Sequence, residues 1–185
     1  MIKETLKDAE NRMKGAIQSL ELDLSSIRTG RASSALVDRL QVEYYGAPTP
    51  LLQLATVSVP EPRSLLIKPF DPKTMRDIER AILASDLGIT PNNDGKAIRL
   101  NLPPLTEDRR KDLAKHVKTR VEEARVATRN VRRDVMKDLK ELENEKLVSE
   151  DELKKAETDL QKMTDKMIEE LEHIGDKKHN EIMEV

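Results

Sequence analysis

The chain contains no cysteine and no tryptophan, and its only aromatic residues are Tyr44, Tyr45 and Phe70. The missing cysteine excludes disulfides, thiol catalysis and thiolate metal sites, and it fits a reducing compartment. Aromatics make up 2% of the residues against 37% charged. So little bulky apolar material speaks against one thick core and for long helices that share a thin aliphatic seam, an elongated arrangement. No apolar run approaches the ~20 residues of a membrane span. The start, Met-Ile-Lys-Glu-Thr, has neither the apolar stretch of a secretory signal nor the Arg/Ser-rich character of a transit peptide. A cytoplasmic protein without membrane contact is expected.

Proline is also absent from most of the chain, since all nine prolines lie between positions 48 and 104. The three aromatics fall in or beside the same window, so two different building materials are present. Before the window, Leu6, Met13, Leu20 and Ile27 recur every seven residues, with Ile2, Ala9, Ala16, Ile17 and Leu24 beside them. This spacing predicts one amphipathic helix ending near Gly30. After Pro103-Pro104, Thr106 can cap a second helix whose seam is Leu113, Val117, Val121, Ala124, Thr128, Val131, Val135, Leu139 and Leu142. A turn near Asn144 to Val148 precedes Ser149, which makes a capping box with Glu152 and opens a third helix. Leu153, Leu160, Met167 and Ile174 mark its seam, with Ala156, Met163 and Leu171 beside them.

Three apolar stripes of similar length can bury one another as a three-helix bundle. The expected fold is α+β, with residues 1–30 and 106–185 forming an elongated bundle and residues 31–105 a small inserted β/α/β domain. Within the insert, Leu40 to Tyr44, Thr56 to Val59, Leu65 to Lys68 and Ala97 to Leu102 are strand candidates. Gly46 and Pro48 read as a turn, and Asn93-Asp94-Gly95 as a tight turn before the last strand. Asp71-Pro72 opens a helix with apolar positions Met75, Ile78, Ile82 and Leu83, stopped at Gly88.

Catalysis finds no support in the residues. His116, His173 and His179 stand alone on charged helices, and Gly30 and Gly46 belong to no phosphate-cradling pattern. No serine sits in a GxSxG elbow. No enzyme, metal site or cofactor is expected.

The net charge of −2 excludes a globally basic polyanion binder, so any such attraction has to come from segregated charge. From Arg109 to Lys140 twelve residues are basic and five acidic, whereas Glu150 to Val185 holds twelve acids against six lysines. At 100° per residue, Lys111, Lys118, Arg125, Arg129 and Arg132 share a narrow sector, flanked by Lys115, Arg133 and Lys140. A charged stripe beside a helical seam is most often a solvated face with i, i+4 pairing. Arginines at i, i+4 and i+7 favour a functional face instead, because guanidinium forks match phosphate oxygens and their repulsion otherwise goes uncompensated. Structured RNA is a natural partner for such a ridge, while the lack of stacking aromatics speaks against reading single-stranded bases.

Five strings carry a resemblance. They are Ile27-Arg28-Thr29-Gly30-Arg31-Ala32-Ser33, Glu43-Tyr44-Tyr45-Gly46 with Pro48-Thr49-Pro50-Leu51, Ala84-Ser85-Asp86-Leu87-Gly88, Pro103-Pro104-Leu105-Thr106-Glu107-Asp108-Arg109-Arg110-Lys111-Asp112-Leu113, and Arg129-Asn130-Val131-Arg132-Arg133-Asp134. Together they resemble the ribosome recycling factors of bacteria, over the whole chain and in order. The resemblance implies an L-shaped monomer that acts after termination. With elongation factor G, which hydrolyses the GTP, such a factor splits the post-termination ribosome into subunits, so that mRNA and tRNA leave and ribosomes are reused. It also implies that the bundle lies on large-subunit ribosomal RNA near the peptidyl-transferase region, through Arg129, Arg132 and Arg133. Arg28 and Arg110 match the family pattern too, although Arg110 projects nearer the seam on the wheel. Arg125 and Lys118 extend the ridge.

Because one domain interrupts the other, Thr29-Gly30-Arg31 and Pro103-Pro104-Leu105 are expected to form a hinge. Two readings of other classes compete. A coiled-coil adaptor needs exposed apolar residues on a second helix face, and an RNA chaperone or hydrolase needs stacking aromatics or an acid/base cluster.

Overall fold

The computed structural model describes residues 1–27 and 29–184, which form two compact units. One holds the described residues before Thr29 together with Thr106–Glu184, and the other is Thr29–Leu105.

The first unit is built from α1 (Ile2–Ser25), α4 (Glu107–Asn144) and α5 (Glu150–Met183). Each helix buries most of the aliphatic stripe its spacing predicts, including Met13 and Leu20 on α1, Val135 and Leu139 on α4, and Leu160 and Leu171 on α5, while Leu6 and Leu142 toward the helix ends are half-buried. At 1.5 Å per residue α4 is about 57 Å long. Thr128 and Thr164 are buried inside the seam, each with its hydroxyl donating to the carbonyl four residues back, Ala124 and Leu160. That bond lets a polar side chain sit in a dry interface without an orphaned donor.

Helix α1 stops at Ser25, short of the expected end near Gly30. Ser25 and Ser26 donate their hydroxyls to the carbonyls of Leu22 and Asp23, and this side-chain competition with the backbone ladder closes the helix early. Helix α4 ends in a Schellman turn, with Leu147 N–H on the Leu142 carbonyl and Lys146 N–H on the Glu143 carbonyl. Lys146 occupies the left-handed position there, with φ +60°. Ser149 then restarts the chain: its hydroxyl accepts the Glu152 N–H at 3.2 Å while the Glu152 carboxylate accepts the Ser149 N–H at 2.8 Å.

Gly175 is buried in α5, and its place there is steric rather than conformational. A Cβ at this position would lie 2.6 Å from Val121 Cγ2 on α4, so only glycine allows the two helices to come this close. Heptad spacing gave Ile174 as the seam residue; Ile174 is half-buried and its neighbour lies at the contact.

The second unit contains a hairpin of β1 (Gln41–Tyr44) and β2 (Ala47–Pro50), a one-turn helix α2 (Leu51–Leu54), and α3 (Met75–Ala84). Its four-stranded antiparallel sheet has the order β3-β4-β6-β5, from β3 (Ala55–Glu61), β4 (Ser64–Pro69), β5 (Asn92–Asn93) and β6 (Ile98–Asn101). Leu65 and Ile67 of β4 pair with Leu100 and Ile98 of β6, and these four join Ile78, Ile82, Val42 and Leu51 in one core. Leu83, expected on the buried face of α3, is exposed instead. It lies 100° around from Ile82, outside the stripe formed by Met75, Ile78 and Ile82. The helix closes at Ala84, where Ser85 caps the Ile82 carbonyl, before the expected stop at Gly88 is reached.

Both chain segments that lead into this unit are fastened to one turn. Ala32 N–H donates to the Pro62 carbonyl at 2.7 Å, and Leu102 N–H to the Arg63 carbonyl at 2.8 Å. Gly30, at φ +77°, lies against Leu105 and the Pro103 carbonyl.

Gly175→Ala is expected to destabilise the bundle by about 1–3 kcal/mol in urea unfolding, because the helices must part to admit the methyl group. Ser149→Ala should cost about 1 kcal/mol through loss of the cap. The pKa of Glu152 is held below its ordinary 4.5, first by the Ser149 N–H and then by the Ser149 hydroxyl. A depressed carboxyl stabilises the fold above its unfolded pKa and loses that contribution as pH falls through the folded value. The difference between wild type and Ser149→Ala is therefore expected to narrow in unfolding measured from pH 7 down to pH 3.

Candidate nucleic-acid interface

On α4 the seam faces α1 and α5, and the arginines nearest each partner are tied to it. Toward α1, Arg120 pairs with Asp23 and Glu123, and Arg12 reaches back to Asp134 at 2.8 Å. The hydrogen bond to Glu123, followed by that to Asp23, holds Arg120 above the usual arginine pKa. Toward α5, Arg125 pairs with Glu122 at 2.7 Å and with Glu172 at 2.8 Å. Arg132 donates to Gln161 Oε1 at 2.8 Å, and Gln161 is fixed in turn by Asp165.

Between these clamped flanks runs the outer face of α4. Lys115, Lys118, Arg129, Arg133 and Lys140 are exposed on it. Arg129 comes no closer than 4.0 Å to Glu122, and Lys111 pairs with Glu107 at 3.0 Å. Glu122 is the one carboxylate on this stretch of the wheel, so the face stays strongly positive along most of the helix.

The predicted residues therefore divide. Lys118 and Arg133 are exposed on the outer face, Arg129 is exposed there at 4.0 Å from Glu122, and Arg132 sits half-buried at the edge with its guanidinium held in one orientation. Arg125 is different: its side chain is only 26% exposed and both its acids belong to this chain. Its charge is compensated internally, which corrects the expectation that repulsion along the ridge goes unrelieved. Arg110 is half-buried, and its Nε is one of two enclosed side-chain nitrogens without a hydrogen-bond partner among the described residues, Arg125 Nε being the other. It leans toward the seam. Arg28 lies outside the described residues.

Where Gly175 brings α5 close, a groove of about 630 Å³ opens between the helices. Lys111, Lys115 and Lys118 form one lip and Glu172, Asp176 and His179 the other, so its two walls carry opposite charge. His116, His173 and His179 are exposed, and no group of three His, Asp or Glu side chains among the described residues could hold a metal ion. No helix among them is long and apolar enough to cross a membrane.

The sequence did not reveal Arg12, Arg120, Gln161 or Glu172 as parts of this arrangement. A single-helix wheel shows which face a residue occupies. The partner across the seam depends on the register between helices, which heptad positions flanking the seam can suggest only once all three helices are aligned.

Glu122→Gln is expected to tighten binding to a structured RNA by about two- to fivefold, since it removes the acid shared by Arg125 and Arg129. A fluorescence titration at low and high salt checks this, with the gain confined to low salt.

The chain matches the family model described as ribosome recycling factor over residues 20–183. It is 54% identical to the ribosome-recycling factor of Roseiflexus sp. (strain RS-1) over 185 residues, covering 100% of both chains. With that of Halalkalibacterium halodurans it shares 55% identity, again over 100% of both. Among solved structures it is similar to a solution structure of the ribosome recycling factor, with a TM-score of 0.76 and 43% identity, covering 100% of this chain and 98% of that one. It is also similar to the T. thermophilus ribosome recycling factor described with E. coli elongation factor G bound to the E. coli post-termination complex. There the TM-score is 0.64 and the identity 46%, with 100% of both chains covered.

Proposed function

Because the chain belongs to the ribosome recycling factor family, whose members are non-catalytic translation factors, we propose that it splits the post-termination ribosome together with elongation factor G. The observation that carries the reading is the outer face of α4, where Lys118, Arg129 and Arg133 stand exposed beside an oriented Arg132. Such a face binds a phosphate backbone by releasing counterions, and α4 is long enough to follow a groove of structured RNA.

In this account the bundle of residues 1–30 and 106–185 is held on large-subunit ribosomal RNA near the peptidyl-transferase region. Arg129, Arg132 and Arg133 make the main contacts, Lys118 extends them, and Arg28, Arg110 and Arg125 contribute at the margins. GTP is hydrolysed on elongation factor G, so this chain needs no cofactor of its own. It works as a monomer in the cytoplasm.

The inserted domain, residues 31–105, receives the push. Thr29, Gly30, Arg31, Pro103, Pro104 and Leu105 form the hinge region. The bonds from Ala32 to Pro62 and from Leu102 to Arg63 support a pivot at the outer ends of the two segments, since they fasten the inner ends to the β3–β4 turn.

Two outcomes test this. Arg129→Ala with Arg133→Ala should leave thermal unfolding unchanged and lower the log–log salt slope of binding to purified large subunits by about 2, one unit for each lost phosphate contact. An unchanged slope would remove RNA from the account. A reducible cross-link between one engineered cysteine in each domain, on a chain with no cysteine of its own, should preserve binding and abolish splitting until reduced. Full splitting while cross-linked would show that the domains need not move.

A further inference from the structure

Helix α3 buries Met75, Ile78 and Ile82 and leaves its other side to water. At 100° per residue, Arg76, Arg80 and Leu83 fall within about 60° of one another on that side, a straight stripe at i, i+4 and i+7. Lys73, in the single turn Pro72–Thr74 that leads into the helix, precedes the stripe by three residues. All four side chains are exposed, Leu83 by 65%.

The stripe works against the stability of its own helix. Arg76 and Arg80 are like charges four residues apart, and Arg76 stands in the first turn, where the helix dipole disfavours a cation. Acids that could relieve them are near in sequence, since Glu79 follows Arg76 by three residues and Asp77 precedes Arg80 by three. On α4 the same two spacings close as the pairs Arg120–Glu123 and Glu122–Arg125. On α3 neither closes, and no carboxylate among the described residues lies within ion-pair distance of Lys73, Arg76 or Arg80. Asp71 accepts the Lys73 N–H with its carboxylate, at 3.0 Å. From β1, which packs against α3, Val42 enters the core, so strand alternation turns Glu43 to the other face.

The make-up of the stripe selects its partner. Uncompensated guanidinium groups call for an anion. An RNA backbone would meet only a short run of cations here, unlike that of α4, and would leave Leu83 against phosphates. A protein surface can satisfy both parts, with carboxylates for the arginines and an apolar side chain for Leu83. A straight stripe on one helix is matched by a second helix laid along it, whose acids then stand one turn apart.

We propose that this outward face of α3 is a docking site for an acidic amphipathic helix of a partner protein, its carboxylates paired with Arg76 and Arg80 and an apolar side chain seated on Leu83. The site lies in the inserted unit and is separate from the arginine face of α4. It rests on the ribosome-directed reading above only for its probe.

The experiment uses the full chain with a benzophenone label on Ala84→Cys, an exposed position one turn beyond Arg80. The labelled protein is incubated with post-termination ribosomes and elongation factor G and then irradiated. The expected product is a cross-link to a protein segment that carries carboxylates one helical turn apart, located by mass spectrometry. Arg76→Gln combined with Arg80→Gln, and separately Leu83→Ala, should each lower its yield fivefold or more. Leu83→Met should preserve it, as should Lys68→Gln, which removes a cation of the same unit outside the stripe. Cross-links to RNA alone, a cross-linked segment without such acids, or a yield indifferent to the two arginines would each overturn the proposal. Sedimentation with ribosomes but without a cross-link would overturn it alone, whereas failure of the labelled protein to sediment would overturn the recycling reading with it. Arg76→Gln supplies a second readout. It should raise the Tm of the inserted unit by about 2 °C, because it removes a first-turn cation and a like-charge neighbour. A fall in Tm would show that the arginine is there for the fold.

Discussion

How closely α5 lies against α4 governs the rest of the bundle, and that distance is set where Gly175 meets Val121. A chain with so few large apolar side chains cannot fill a wide interface, so its helices have to approach until thin aliphatic stripes touch. Once they do, the side chains that flank the seam come within reach of one another. Arg125 meets Glu172 and Arg132 meets Gln161 across it. These pairs lie near the surface and add little stability individually. Their effect is to fix which guanidinium groups remain available. Close packing therefore sorts one run of basic residues into clamps and an exposed outer face, and the RNA-binding surface of the proposed account follows from the core.

The inserted unit solves a different problem with different residues. It keeps its prolines at the ends and edges of strands, where a missing N–H does no harm. Pro48 and Pro50 lie in β2, whose one strand neighbour among the described residues is β1. Its core is closed over one face of the sheet by α3 and by the leading segment around Val37. Tethering both connecting segments to neighbouring carbonyls of one turn lets the unit move, in the proposed mechanism, as a single body.

Much of this was legible in the residues, for reasons that can be named. The heptad stripes, the Thr106 cap and the Ser149–Glu152 box are local codes, each satisfied within a few residues of chain. The turn expected at Gly46 and Pro48 is found at Tyr45-Gly46, whereas Pro48 lies beyond it in β2, opposite Glu43 in the ladder from Gln41–Pro50 to Tyr44–Ala47. The early close of α1 turned on two serine hydroxyls, and Leu83 was misplaced by one step around the helix. Within the candidate interface the exposed face of α4 was visible from spacing alone. The internal neutralisation of Arg125 was not, because Glu172 lies 47 residues away and meets it only through the register of two packed helices.

The central claim is that a non-catalytic chain, held by a basic helix face, converts the work of elongation factor G into separation of the subunits. Light scattering from purified post-termination ribosomes measures this directly. The account predicts a fall in scattering that requires this protein, elongation factor G and GTP together, and that disappears when Arg129, Arg132 and Arg133 are all replaced by alanine. Splitting that persists in the triple variant, or a wild-type protein that binds ribosomes without splitting them, would contradict it.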